Sequence, residues 1–390
     1  MNSGQAGMVP HDGRVVVVGG GLAGARVCSA LRRKGLTGPI DVVAAETHLP
    51  YDRPPLSKDV LLGTRDATPL PFDVEKLDVT FHPGRRATGV SPEAHVLHTD
   101  AGDMAYDGLV IATGAGPVRL PGTGEQLTLR TIEDALAVRA RLVPGSRVVI
   151  VGASWIGAEV ATAALARGCR VTCVEYDETP LARTLGDQVA RHLRPWWSDV
   201  DLRCRLAVQE VSDEGVVLAD GQVLPADLVV VGIGVKPVIG WLDGSGIATG
   251  RGILTDERCR TGAPGVIAVG DVAERWSPRA GAHLLIEHWD DAGAAATTAA
   301  AALLQGDDAP AYDAVPYFWS DQFGHKVQYV GRHSADDDVA VTTDDDGNLA
   351  TAEWRSADGS RTAWLGVDRP KEVVKARVSI GQPALAPTTS

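Results

Sequence analysis

One hydrophobic pattern occurs twice along the chain. An unbroken apolar, largely β-branched run, Val15–Val18 in the first case and Val148–Val151 of the strand Arg147–Val151 in the second, is followed by small residues. A helix-like stretch then follows, Ala25–Arg33 or Ala158–Arg167, and a second apolar run, Ile40–Ala45 or Val171–Val174. Strands buried on both faces read this way because no position has to stay polar, and the strand–helix–strand order predicts parallel pairing. Further apolar runs at Leu109–Ala112, Leu228–Val231 and Gly265–Val269 predict more buried strands. Residues 72–107 and 202–240 alternate short strands with turns. Glu133–Arg141 and the Ala-rich Trp289–Leu304 read as helices. The tail from Tyr312 changes texture: strand-like runs at 326–330, 339–342, 349–354 and 362–367 precede a basic helix, Lys371–Arg377. Asp336–Asp338 and Asp344–Asp346 read as solvated turns. Residues 1–13 are polar and Gly-rich and are expected to lack regular structure.

The small residues between strand and helix carry candidate chemistry. Gly19-Gly20-Gly21-Leu22-Ala23-Gly24 is a full G-x-G-x-x-G. Gly19 permits the tight turn, Gly21 the close approach of backbone to a pyrophosphate, and Gly24 close packing of helix on strand. Glu46, past the second apolar run, can accept hydrogen bonds from ribose hydroxyls. The second unit repeats the scheme with Gly152, Ser154, Gly157 and, past its second run, Glu175. Ser154 replaces a glycine but is small and offers a hydroxyl to a phosphate. Two such units imply two dinucleotides. Glu175 further predicts a preference for a 2′-OH over a 2′-phosphate, with Arg183 as a residue able to accept the phosphate.

Three prolines between Pro50 and Pro55 forbid a regular strand and stiffen the segment that carries Arg53 and Lys58 beside a ligand. A strand ending in Ala112-Thr113-Gly114 places a hydroxyl and a glycine where backbone can approach a ligand. Gly270-Asp271 ends the strand that returns the chain to its first domain; Asp271 reads either as a helix N-cap or as a polyol ligand. Trp319 reads as core or as a cover for a flavin ring.

Composition narrows the class. The chain has 390 residues, 44% hydrophobic and 22% charged, enough for two or three domains. A net charge of -13 argues against a general nucleic-acid surface. Five cysteines without C-x-x-C suit a reducing cytoplasm, and no apolar run has membrane-spanning or signal-peptide character. The expectation is a soluble, cytoplasmic protein with no metal site of its own.

Gly19–Gly24, Tyr51–Lys58, Ala112–Gly114, Gly152–Gly157, Gly270-Asp271, Glu287–Trp289 and Pro316–Asp321 together resemble the FAD- and NADH-dependent ferredoxin reductases of bacterial oxygenases and cytochromes P450, the putidaredoxin-reductase-like family. The resemblance spans about residues 14–377. It implies an α/β, glutathione-reductase-like fold of two Rossmann-type domains and a C-terminal α+β interface domain. The implied domains are FAD-binding over 1–113 and 249–312, NAD-binding over 114–248, and interface over 313–390. FAD, held non-covalently, would take Gly19, Gly21, Gly24, Glu46, Arg53, Lys58, Thr113, Gly114 and Asp271; NADH would take Gly152, Ser154, Gly157, Glu159 and Glu175. Lys58 would pair with Glu159 near the flavin, and Trp289 and Trp319 would border its ring. Leu285 departs from the arginine of many relatives. The implied partner is a small 2Fe–2S or related ferredoxin, docked over basic residues such as Arg65, Arg332, Arg369, Lys371, Lys375 and Arg377. Two alternatives differ in the chemistry they require. A flavin disulfide reductase needs a redox cysteine after the second strand, and residues 42–62 hold none. A redox-sensing flavoprotein resembling apoptosis-inducing factor would lack steady-state turnover.

Overall fold

The computed structural model describes residues 9–382. The chain forms two compact bodies: one comprises the segments up to Asp52, Thr68–Gly116 and Lys236–Ala314, the other Arg53–Ala67, Pro117–Val235 and the chain from Val315 on.

The first body is built on Val15–Val18, whose four valines are all buried. It pairs in parallel with Ile40–Ala44 on one side and Gly108–Ile111 on the other. Val79–Pro83 and Val266–Ala268 complete a five-stranded parallel sheet at its two edges. Strand alternation divides the valines between two cores. Val15 and Val17 pack with the helices Leu22–Arg33 and Trp289–Gln305, while Val16 and Val18 pack with a small antiparallel sheet that includes Val90 and Leu97. The alanines at 292, 295, 296, 299 and 300 let the two helices approach closely. The first turn of Trp289–Gln305 is anchored by a buried ion pair, Asp291 with Arg275 at 3.1 Å, and the Arg275 guanidinium lies over Tyr312, 4.5 Å from its centroid.

The second body holds the other strand–helix–strand unit. Arg147–Val151 lies between Arg170–Val174 and Leu228–Val231, all parallel, with Asp201–Arg203 at the edge. The helix Trp155–Ala166 follows the glycine turn. The tail forms a five-stranded antiparallel sheet in the order Tyr317–Gln322, His325–Gly331, Arg361–Val367, Leu349–Arg355, Asp338–Thr343, with the helix Pro370–Ser379 packed on it. Leu181, Leu185, Val189 and Leu193 share a core with Val327, Tyr329 and Leu365 of that sheet.

Three expectations change. Residues 1–8 lie outside the described residues, but Val9–Gly13 are ordered by contacts: Val9 is buried, its N–H donates to the Leu303 carbonyl at 2.8 Å, and a turn closes from Gly13 N–H to Pro10 O. The aromatic run Tyr317–Gln322 is itself a strand, because it finds a partner in His325–Gly331. Asp271 caps no helix; the strand Ala273–Ser277 follows it. No helix among the described residues is long and apolar enough to cross a membrane.

Candidate active site

In the first body the predicted residues gather at the carboxyl ends of the parallel strands, where ligands of open α/β sheets bind. Gly19 follows Val18 with φ +123°, and a side chain there would strike the Ala112 carbonyl. A Cβ at Gly24 would strike the Gly19 carbonyl oxygen. Both glycines are thus demanded by the protein's own backbone. Gly21 is not: its φ is -91°, and a Cβ there would meet nothing within 4 Å. The helix it opens has no side-chain cap and no acidic residue in its first turn, so the first amides are left for an external acceptor. Glu46 lies just beyond Ile40–Ala44, and the Tyr51 hydroxyl donates to its Oε2 at 2.5 Å. Thr113 donates to the Val238 carbonyl at 3.0 Å, and the Gly114 carbonyl accepts from Val238 N–H. A Cβ at Gly270 would come within 3.0 Å of Ala23 on the fingerprint helix, which brings the half-buried Asp271 to the same strand ends. Trp289 opens its helix with the indole 36% exposed and its N–H donating to Asp52 Oδ1 at 2.5 Å. An unneeded glycine beside uncapped amides, with a carboxylate past the next strand, fits a dinucleotide such as FAD.

In the second body Gly152 adopts φ +98°, and a Cβ at Gly157 would strike the Gly152 carbonyl. Ser154 is the N-cap of Trp155–Ala166: its Oγ accepts from Gly157 N–H at 3.2 Å and donates to the Gly232 carbonyl at 2.7 Å. The hydroxyl expected to serve a phosphate is therefore engaged by the protein, as are the amides of Gly152, Ala153 and Gly157. Glu175 accepts from the backbone N–H groups of Ala153 at 2.7 Å and Asp177 at 2.9 Å. Arg183 is paired with Asp177 at 2.8 Å.

The proline-stiffened segment forms a turn of 3-10 helix, Pro54–Ser57, in this second body. Arg53 donates to the Arg130 carbonyl at 2.5 Å. Lys58 Nζ stands 2.9 Å from Glu159 Oε2. Glu159 is only 4% exposed, and it is satisfied by three donors from two segments: the Ser57 hydroxyl donates to Oε2, Lys58 approaches the same oxygen, and Ser320 donates to Oε1 at 2.6 Å. A buried carboxylate needs such donors to offset desolvation. Ser320 meets Glu159 because side chains alternate along Tyr317–Gln322. Trp319 takes the other face, stacked with Tyr317 at 6.0 Å between centroids. Ser57 and Ser320 lay within motifs singled out in the sequence, but only their convergence on Glu159 reveals what they do.

The profile of the pyridine nucleotide-disulphide oxidoreductase family matches residues 13–297, and that of the reductase C-terminal domain matches 317–388. The chain belongs to the pyridine nucleotide-disulphide oxidoreductase family. It is 35% identical to the ferredoxin–NAD(+) reductase component of the p-cumate 2,3-dioxygenase system of Pseudomonas putida, over 93% of this chain and 92% of that one. Among solved structures, it resembles Fdr9 at 51% identity and TM-score 0.93, covering 95% of each chain. It also resembles the reductase in the covalent putidaredoxin reductase–putidaredoxin complex, at 29% identity and TM-score 0.86, over 95% and 93% of the two chains. The fold is accordingly the two Rossmann-type units and C-terminal domain of putidaredoxin-reductase-type members of the family. The disulphide of the family name has no counterpart here. All five cysteines are unpaired, and burial raises every one of their thiol pKa values, that of Cys28 to about 12. A thiol held protonated is a poor nucleophile.

Proposed function

We propose that the chain is an NADH-dependent ferredoxin reductase, passing electrons to a small iron–sulfur ferredoxin that supplies a dioxygenase, monooxygenase or cytochrome P450. One observation carries this reading. Each body holds a complete strand–glycine–helix–acid unit, ended by Glu46 or Glu175, and no cysteine stands at 42–62, where a disulfide reductase keeps its redox thiol. FAD, bound non-covalently, supplies the switch from two-electron uptake to one-electron release.

The chain's own residues bind and align. Gly19, Gly21 and Gly24 with the uncapped amides after them receive the FAD pyrophosphate, and Glu46, oriented by Tyr51, accepts from the adenosine ribose. Thr113, Gly114, Asp271 and Trp289 complete that site. Gly152, Ser154 through its backbone, Gly157 and Glu175 take NADH. Glu159, held by Ser57 and Ser320, fixes the Lys58 ammonium in one direction, and the half-buried Trp319 is assigned to border the flavin. On this reading residues 1–113 and 249–312 bind FAD, 114–248 bind NAD, and 313–390 form the interface domain. The unpaired cysteines support a reducing, cytoplasmic location.

The test is an anaerobic absorbance spectrum of the purified protein. Flavin bands should be present and should bleach on addition of NADH, and a 2Fe–2S ferredoxin should then be reduced catalytically. Protein lacking flavin, or flavin indifferent to NADH, would overturn the proposal. Reduction by NADH without turnover would favour the redox-sensing alternative.

A further inference from the structure

The loop after Arg170–Val174 reads Glu175-Tyr176-Asp177-Glu178, three carboxylates in four residues. In a Rossmann-type unit this loop meets the adenosine ribose, and its charge decides between a 2′-OH and a 2′-phosphate. Glu175 is held in place by the amides of Ala153 and Asp177. Three arginines come to the same strand ends, and each already has a carboxylate. Arg203 is 2.8 Å from Asp201, Arg205 is paired with Glu178, and Arg183 Nε is 2.8 Å from Asp177 Oδ2.

Arg183 differs from the other two. Its carboxylate partner is 23% exposed while its own side chain is 71% exposed, and its guanidinium also lies over the Tyr176 ring, 5.2 Å from the centroid. An exposed ion pair alone holds weakly, but a ring contact added to it pins the guanidinium plane as well as its charge. Arginine is the side chain best matched to a phosphate, and here its donors are turned to a neighbour in the loop.

We propose that Asp177 is a specificity-determining residue. It clamps Arg183 over Tyr176, withholding the cation that a 2′-phosphate would need, and so enforces NADH over NADPH beyond the repulsion from Glu175. The inference rests on the second unit being the nicotinamide-nucleotide site, and it assigns a device within that site.

The experiment is a double-mutant cycle on the holoprotein. Asp177→Ala should raise the ratio of kcat/KM for NADPH to that for NADH by about tenfold, the value of a released charge-assisted hydrogen bond. In an Arg183→Ala background the same change should raise it less than about twofold, the residual of exposed like-charge repulsion. Arg183→Ala alone should leave the ratio where it is. Titration calorimetry with adenosine 2′,5′-bisphosphate should follow the same pattern: tighter binding to Asp177→Ala, with the gain absent from the double variant. Equal gains in both backgrounds would overturn the clamp, since Asp177 would then act only as a like charge. So would no gain, or a fall in the Arg183→Ala ratio. Failure of the wild type to be reduced by either nucleotide would instead count against the proposed function, and calorimetry would still decide the clamp.

Discussion

At the scale of single residues, the glycines of the first fingerprint do different work and should fail differently. A side chain at Gly24 runs into the Gly19 carbonyl, so Gly24→Val should destabilise the fold itself by about 1–3 kcal/mol or more, as overpacking does. A side chain at Gly21 meets only open space, so Gly21→Val should leave thermal unfolding of the flavin-free protein nearly unchanged yet strip flavin from the purified protein. Glu46→Ala should act as Gly21→Val does, costing flavin binding about 1.5–3 kcal/mol, the worth of hydrogen bonds to a charged acceptor. The absorbance ratio of flavin to protein, read beside a melting curve, checks all three; equal flavin loss without destabilisation in Gly24→Val would contradict the distinction. The sequence marked these glycines as one motif. Only the neighbours of each Cβ position divide them into those the backbone demands and the one it does not.

Two helices connect residue chemistry to larger structure. Trp289–Gln305 could be read as a helix from its alanines, but the device that holds its first turn could not, because Arg275 and Asp291 lie on different elements and meet only on folding. Burial lowers and Asp291 raises the pKa of Arg275, with a net rise, so the guanidinium stays charged in the native state. Asp291→Ala would strand a buried guanidinium and should cost about 3–5 kcal/mol in urea unfolding, whereas replacing both partners by apolar residues should cost much less. The helix Pro370–Ser379 presents Lys371 and Lys375 to solvent beside Val374 and Val378, which are 66% and 72% exposed. Among the other basic candidates, Arg377 donates to the Val315 carbonyl and lies over Tyr317, Arg369 pairs with Glu372, and Arg65 with Asp59. With the exposed Arg332 kept as a further candidate, Lys371 and Lys375 are proposed as the docking cations that this helix carries. Their joint reversal to glutamate should raise KM for an acidic ferredoxin severalfold at low salt, and less as screening shortens the Debye length to about 10 Å at 0.1 M, while NADH-to-dye turnover holds. A salt-independent ferredoxin rate that ignores the reversal would place docking on another face.

Across the whole molecule, stability should depend on pH through histidines that the fold partly buries. Burial lowers the pKa of His288 and of His333, the latter stacked on Trp354 and 2.7 Å from the Tyr329 hydroxyl. A histidine with a depressed native pKa binds fewer protons folded than unfolded. Its contribution is therefore complete above its unfolded pKa of about 6.5 and is lost as pH falls through the lower native value. The melting temperature should decline between pH 7 and pH 5, and His333→Gln should flatten part of that decline; a flat profile in the wild type would refute it. What the sequence determined by itself is local and periodic. Four-residue apolar runs with nowhere polar to turn, such as Val15–Val18, must be buried strands, and the glycine turns after them follow from backbone sterics that need no distant partner. The antiparallel tail was legible in its four strand-like runs, but Tyr317–Gln322 was read for its aromatics, since a strand is defined by a partner as well as by its own residues. Tertiary structure alone decided where charges and hydroxyls go. Ser57, Lys58 and Ser320 converge on Glu159 across as many as 161 residues of chain, Ser154 gives its hydroxyl to Gly232, and Arg183 is turned to Asp177. A polar side chain states only that it needs a partner; which partner it receives depends on what the buried strands bring within about 3 Å of it.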